Sequence, residues 1–162
     1  MRRAAFAGGL LFATLQSCYF LLLEWQLSSA WTTYATVTAA WMAGILAGLR
    51  LRRGDAALLW ANLPCYYGLW WLLQRVPYDN RLLPLCGLCV LASGAYAGRF
   101  FKTSVARGAD VRAFLLHENN GFVAGLLLAF AGFSWDAKLF LGLGPAAGFC
   151  LLQLLAHLPR NW

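Results

Sequence analysis

A polar cluster interrupts an apolar stretch of the sequence around residue 117. The segment LLHENNGF places His117, Glu118, Asn119 and Asn120 one to two helical turns into the run over 113–133. Such side chains are costly in lipid, so within a span they face the bundle interior, a water-filled cavity or a partner. The four residues are therefore the leading candidates for ligand or partner binding. If the helix enters the membrane later, His117 and Glu118 are instead interfacial residues.

A second acidic residue, Glu24, ends the first apolar run beside Trp25. A carboxylate at that position is expected to meet water. It is either an ordinary helix-end charge or a group that binds a cation or pairs with Arg75 or Arg81. Glu24 is therefore a further candidate binding residue.

The two histidines of the chain, His117 and His157, are predicted near the same membrane face. Two neutral imidazoles on neighbouring antiparallel helices would satisfy the axial ligation of one haem b. The alternative is that His157, close to Pro159 and Arg160, is an interfacial residue with no ligand role. No other metal-binding pattern accompanies the two histidines, and no other metal is expected.

Cys86 and Cys89 form a C-G-L-C motif after Pro84. The spacing is that of a redox pair, and a membrane dithiol near a helix N-terminus can exchange electrons with quinone. The alternative is that both are small apolar core residues, because buried cysteines are commonly inert. The other cysteines, Cys18, Cys65 and Cys150, supply no second pair in an outer loop.

Catalytic motifs of other kinds do not occur in the sequence. It contains no phosphate-binding glycine loop, zinc signature or nucleophile elbow, and no paired acids at a defined separation. We therefore expect no hydrolytic activity from this chain alone. The sequence favours a protein that is not an enzyme.

The composition indicates what must position these residues. Of 162 residues, 61% are hydrophobic and 12% charged, against about 25% charged in a soluble domain. A span needs about 20 apolar residues. The sequence predicts one all-α integral membrane domain of about six helices, over 4–24, 31–49, 56–74, 82–98, 113–133 and 138–157. The first run imitates a signal peptide, but it continues past Cys18 to Glu24 and is expected to remain as an uncleaved helix.

Basic residues predict the orientation of the helices. If the N-terminus is inside, ten basic residues lie in inner segments and three in outer ones. Both termini are therefore predicted to be inside. The membrane is expected to be the cell membrane, most simply the bacterial inner membrane. The inner set is Arg2, Arg3, Arg50, Arg52, Arg53, Arg99, Lys102, Arg107, Arg112 and Arg160, and the outer set is Arg75, Arg81 and Lys138. Aromatic residues mark the outer ends of helices: Trp25, Trp31, Trp70, Trp71, Tyr78 and Trp135. The net charge of +7 lacks an aromatic-basic pattern, so nucleic acid is not expected as a partner.

Glycine pairs predict close helix packing. Four G-x-x-x-G pairs put two glycines on one helix face: Gly44 and Gly48, Gly94 and Gly98, Gly121 and Gly125, and Gly144 and Gly148. Such pairs allow backbones to approach in lipid, either within the chain or against a partner.

Two of these pairs begin similar segments. GILAGLRLRRGDAALL and GAYAGRFFKTSVARGADVRAFLL each contain the glycine pair, a basic stretch, an Arg-Gly and an aspartate. The likeness has two interpretations: duplicated parallel hairpins of the kind found in transporters, or ordinary basic turns.

The order of these features resembles the transporter-like membrane region of spermidine synthase-like fused membrane proteins. Glu24 within LLLEWQLSSAWTTYATVTAAWMAGILAGLRL is similar to that family's acid-bearing first helix, and ASGAYAGRFF and HENNGFVAGLLLAFAGF form the second matching part. Together they cover about half of the chain. The basic residue expected soon after the first acid is missing, since Gln26 and Leu27 follow Trp25, and no synthase domain is present. The resemblance implies a transporter-like six-helix module with a polar site near Glu24 and Glu118, without polyamine synthesis.

Three functional hypotheses follow. The first is a membrane subunit that assembles with other membrane chains or with a second copy of itself, in a complex that could involve electron transfer or quinone contact. The second is a dimerising half-transporter for a small or cationic substrate, with Glu118 as coupling acid. The third is a thiol-quinone or haem b redox protein.

Overall fold

Every regular element that the computed structural model describes is helical. It describes residues 2–27 and 30–157, and the helices are α1 (Arg2–Leu27), α2 (Ala30–Arg50), α3 (Asp55–Arg75), α4 (Leu83–Ala106), α5 (Val111–Trp135) and α6 (Ala137–His157), with a 3-10 turn at Asn80–Leu82. The all-α class predicted from the sequence is confirmed for these residues.

Among the described residues, four of the six helices are long and apolar enough to cross a membrane. They are α1, α4 together with the preceding 3-10 turn, α5, and α6 as far as Leu155. Helices α2 and α3 contain 21 residues each but carry more threonine, tryptophan and tyrosine. The amphipathic rings of tryptophan and tyrosine favour the membrane interface rather than the hydrocarbon core.

Helix α4 extends well beyond its predicted end at residue 98. Its last turns, over 99–106, contain basic residues that the sequence analysis assigned to a turn. Arg99 and Lys102 donate hydrogen bonds to backbone carbonyl groups at the end of α2 and just after it. These contacts hold the segment as helix, which explains the difference.

Glycines shape the two turns that carry an Arg-Gly dipeptide. Gly54 has φ of 111° and Gly108 has φ of 82°, a left-handed region that costs little only for glycine. Asp110 then caps α5 by accepting a hydrogen bond from the backbone amide of Arg112, at 3.1 Å. Gly54 itself precedes α3 directly, so the two turns share the glycine but differ in how the next helix begins.

The chain forms two compact units. The terminal unit contains the described residues of 1–17 and 104–162, and the central unit contains residues 18–103. The terminal unit therefore comprises the first part of α1, the end of α4, α5 and α6. The central unit comprises the rest of α1, α2, α3 and most of α4.

In the central unit α2 and α4 lie in backbone contact and run parallel. A Cβ atom added to Gly44 would overlap the carbonyl oxygen of Leu91, and one added to Gly48 would overlap that of Ala95. Each step of four residues along α2 matches a step of four in the same direction along α4. Only glycine permits this approach.

The contact between α2 and α4 is reciprocal. A Cβ atom on Gly94 would meet the carbonyl oxygen of Trp41, and one on Gly98 would meet that of Ile45. Each glycine thus faces the residue three positions before the corresponding glycine of the other helix. The two helices meet as equivalent halves of a parallel pair.

The terminal unit repeats this arrangement between α1 and α5. A Cβ atom on Gly121 would overlap the carbonyl oxygen of Phe6, and one on Gly9 would overlap that of Glu118. A Cβ atom on Gly125 would lie 2.8 Å from the Cβ of Ala13. Gly9 and Ala13 thus form a small-residue pair on α1 that the sequence analysis did not single out.

Candidate functional site

The polar cluster of α5 lies partly on the helix surface. His117 and Glu118 are half-buried, whereas Asn119 and Asn120 are exposed. The backbone of Glu118 takes part in the contact with Gly9 of α1. Among the described residues, the structure records no hydrogen bond from these four side chains.

The two asparagines interrupt an otherwise apolar surface of α5. The buried stripe of this helix is Phe114, Gly121, Gly125 and Ala129. Large apolar side chains are exposed over the rest of the helix: Leu115, Leu116, Val123, Leu126, Leu127, Leu128 and Phe130. Such a surface suits lipid or another helix, and two amides within it need hydrogen-bond partners that lipid tails cannot supply.

Glu24 is half-buried in the central unit. The ion pair with Arg75 or Arg81, which the sequence left open, is not formed among the described residues. The guanidinium of Arg75 instead lies over the Trp71 ring, 4.9 Å from its centroid. The carboxylate of Glu24 therefore keeps its hydrogen-bonding capacity for water or a ligand.

Haem ligation by the two histidines stays a prediction. His117 is half-buried on α5, and the side chain of His157 lies outside the described part of the structure. Within the described residues, no group of three or more His, Cys, Asp or Glu side chains is arranged to hold a metal ion.

Gly144 and Gly148 of α6 lie nearest to side-chain atoms rather than to the carbonyl groups of a neighbouring helix. The ring of Phe140 and the methyl group of Thr14 lie nearest to Gly144, and Leu11 lies nearest to Gly148. This glycine pair therefore packs less closely than the pairs of α2, α4 and α5. Beside it, α1, α5 and α6 line an open apolar groove of about 610 Å³ in the terminal unit.

The cysteines of the C-G-L-C motif have different surroundings. Cys86 is fully buried, whereas Cys89 is half-exposed, and both are free thiols. Cys89 hydrogen-bonds to Cys65 of α3. The structure thus brings Cys89 to a cysteine that is distant in sequence, which spacing along the chain could not indicate.

Buried hydroxyl groups connect the helices of the central unit. The hydroxyl groups of Tyr19 and Ser93 are 3.2 Å apart in a buried hydrogen bond between α1 and α4. The Tyr19 ring packs edge-on against Tyr66 of α3, with centroids 5.3 Å apart, and Tyr66 hydrogen-bonds to Cys18. The sequence analysis missed these contacts because each residue alone is ordinary in an apolar helix.

Asn62 is the polar residue of α3 that is almost wholly inside the central unit. Its exposed fraction is 1%, and its amide nitrogen donates to the carbonyl oxygens of Leu58 and Leu59, at 2.8 and 3.2 Å. Its Oδ1 is buried and has no hydrogen-bond partner among the described residues. An unpaired buried acceptor of this kind lowers stability.

Replacing Asn62 by leucine is expected to raise the free energy of unfolding by about 1 kcal/mol, because it removes a buried acceptor that has no donor. Ser93→Ala is the comparison: it removes the partner of Tyr19 and is expected to lower that free energy by about 1 kcal/mol. Thermal unfolding in detergent, followed by circular dichroism, measures both. A loss of stability in Asn62→Leu as large as that in Ser93→Ala would contradict the assignment of an unpaired Oδ1.

Two basic side chains of α4 bind the turn between α2 and α3. The Arg99 guanidinium pairs with Asp55 and donates to the carbonyl oxygens of Leu51 and Arg52, at 2.8 and 2.9 Å. Lys102 donates to the carbonyl oxygens of Leu49 and Leu51, at 2.8 and 3.0 Å. Positive charge here complements the unsatisfied carbonyl groups at the C-terminus of α2.

Thr103 completes this arrangement. Its hydroxyl donates to Asp55 Oδ2 at 3.0 Å, so both carboxylate oxygens of Asp55 are bound by α4. The sequence indicated that these charges lie on one membrane face, but not which of them would be structural. Arg50, Arg52 and Arg53 keep exposed side chains.

Over residues 2–27 and 30–157 the fold defines the class of this protein but not its chemistry: the regular structure is all-helical, and four of the helices there are able to span a membrane. Comparisons of the chain with protein-family models, with curated proteins and with solved structures found no match. The resemblance to spermidine synthase-like fused proteins therefore stays an expectation from the sequence.

Proposed function

We propose that this chain is a multi-pass membrane subunit that assembles with another membrane chain through the exposed polar cluster of α5. In this proposal α2 and α3 cross the membrane together with the four apolar helices, both termini are inside, and the membrane is the bacterial inner membrane. The contact is a transmembrane helix of the partner, which hydrogen-bonds to Asn119 and Asn120. The partner could also be a second copy of this chain, and the experiment below distinguishes that case from a different partner chain.

The observation that carries the proposal is the exposure of two amides on an apolar helix. Asn119 and Asn120 are exposed, and Leu116 and Val123 nearby are 59% and 56% exposed. An amide in hydrocarbon gains from a hydrogen bond across a helix interface, by about 0.6–2 kcal/mol. A partner helix would form hydrogen bonds with the amides and cover these apolar side chains at the same time.

The aromatic and basic residues support the six-span topology. Trp31 and Trp135, at helix ends that we place outside, are 76% and 93% exposed, and Tyr78, in the outer connection after α3, is 67% exposed. Arg50 lies at the opposite end of α2 from Trp31, and Arg112 lies at the opposite end of α5 from Trp135. This separation satisfies the positive-inside rule.

A dimerising half-transporter is the second candidate, and one observation favours it. The reciprocal parallel contacts of α2 with α4 and of α1 with α5 have the form expected of parallel repeats, which occur in transporters. Glu118 would then be the coupling acid, since it is half-buried beside the α1–α5 contact. If the Glu118→Gln variant takes up substrate into vesicles as the wild type does, this candidate function is excluded.

The Asn119→Leu, Asn120→Leu double variant tests the leading proposal. We expect it to fold but to retain about tenfold less partner on purification from native membranes, because two interhelical hydrogen bonds contribute together about 1.4 kcal/mol. Quantitative mass spectrometry of the copurifying chains, with crosslinking to detect a second copy, measures the loss.

The control is Asn80→Leu, the same substitution at an exposed asparagine in the outer 3-10 turn. It should leave the copurifying chains unchanged. Equal retention by the α5 double variant and the control, or a purified wild-type protein that is a monomer without any partner, would overturn the proposal.

A further inference from the structure

The central unit contains a pair of thiols that the sequence pattern did not predict. Cys65 and Cys89 are hydrogen-bonded to each other across α3 and α4. Cys86, the other member of the C-G-L-C motif, and Cys18 are fully buried. The two thiols in contact are thus also more accessible than these neighbours, since each is half-exposed.

The register of α3 and α4 independently places these cysteines at the same level of the bundle. The two helices run antiparallel, and Asp55 pairs with Arg99 at one end. Cys65 is ten residues after Asp55, and Cys89 is ten residues before Arg99. At a rise of about 1.5 Å per residue, both sulfurs lie about 15 Å along their helices from that ion pair. The thiols therefore occupy the same level of the bundle.

The level of the pair determines which oxidants can reach it. Cys89 belongs to a helix able to span the membrane, and Leu88 beside it is 63% exposed. Gly68, three residues after Cys65, is exposed, and a Cβ atom there would meet nothing within 4 Å. A lipid-dissolved molecule can thus approach Cys65 beside Gly68, whereas a charged, water-soluble thiol cannot enter hydrocarbon.

We propose that Cys65 and Cys89 are a redox-active dithiol that reduces a lipid-soluble quinone and closes into a disulfide between α3 and α4. One thiol adds to the quinone ring as its proton leaves. The second thiol attacks that sulfur, the S–S bond forms and the carbon–sulfur bond breaks. The electron pair remains with the ring, which takes up both thiol protons and becomes quinol. This proposal rests on the membrane placement of α3 and α4 in the proposed function, but not on the partner contact of α5.

The experiment uses the full-length protein, reduced and then freed of reductant, in lipid nanodiscs without oxygen. A short-chain benzoquinone is added, quinol is followed by ultraviolet absorbance, and remaining thiols are counted by maleimide labelling and mass spectrometry. We expect one quinol per chain, the loss of two of the five thiols, and a peptide crosslinked through Cys65 and Cys89.

Three variants separate this pair from the alternatives. Cys86→Ser should react as the wild type does, and so should Cys150→Ser, which removes the exposed thiol of α6. Cys65→Ser should form no quinol. The crosslinked wild-type peptide identifies the pair even if that variant fails to fold.

Two results would overturn the proposal. The first is a crosslink between Cys86 and Cys89, or a quinone adduct without any disulfide. The second is five unreacted thiols after prolonged exposure to the quinone.

Discussion

Gly98→Ala is expected to separate α2 from α4 and to lower the free energy of unfolding by about 2–3 kcal/mol, as overpacking of a tight interface does. The methyl group would occupy the position of the Ile45 carbonyl oxygen. That atom belongs to a helix backbone and cannot rotate away as a side chain would. The helices must move apart, and the reciprocal contacts of Gly94, Gly44 and Gly48 weaken together.

The control for this prediction is Gly68→Ala on α3. A Cβ atom at Gly68 would meet nothing within 4 Å, so the same substitution should raise stability by up to about 1 kcal/mol through helix propensity alone. Chemical unfolding in mixed micelles, followed by tryptophan fluorescence, gives both values. Equal effects of the two substitutions would mean that α2 and α4 are not in backbone contact.

The corresponding substitution in the terminal unit is Gly121→Ala, which directs a methyl group at the Phe6 carbonyl oxygen. Because the geometry repeats that of α2 and α4, we expect a loss of similar size. A much smaller loss would indicate that α1 and α5 adjust more readily.

Arg99→Met is expected to lower the free energy of unfolding by about 2 kcal/mol, the value of a charge-assisted hydrogen bond. The variant keeps an unbranched side chain but loses the donors to Asp55 and to two backbone carbonyl groups. The side chain of Arg99 is 12% exposed and that of Asp55 is 38% exposed, so water compensates for part of the loss. Chemical unfolding in the same micelles measures it.

Arg53→Met is the matched control, since it removes an equal charge from the exposed end of the same turn. It should change stability by less than about 0.5 kcal/mol, as surface substitutions usually do. Arg99→Lys should lie between the two, because lysine keeps the charge but not the planar fork of donors. If both methionine variants lowered the free energy of unfolding equally, the hydrogen bonds of Arg99 would not stabilise the fold.

The helices themselves were predictable from the sequence because apolar runs and charged turns reflect the conformational preferences of neighbouring residues. Five of the six predicted spans agree with helix bounds to within about three residues at each end, which is within the usual uncertainty of such boundaries. The exception is the end of α4, where Arg99 and Lys102 look like turn residues until their backbone acceptors on the neighbouring turn are known.

The candidate sites were predicted less completely. The sequence singled out His117 to Asn120, because polar groups in an apolar run are unusual, and it singled out Cys86 and Cys89 by their spacing. It gave no sign of the pairing of Cys65 with Cys89 or of Tyr19 with Ser93. Those pairs join helices whose register depends on packing.

The sequence by itself determined that this chain is helical and apolar, because each of these properties is a sum over local residues. The tertiary structure alone decided which small residues carry a backbone contact, such as Gly98 against Ile45. It also decided which charges are structural and that Cys89 meets Cys65 rather than Cys86. The reason is physical: contacts between helices depend on their mutual rotation and level, which the packing of whole helices sets and no local spacing encodes.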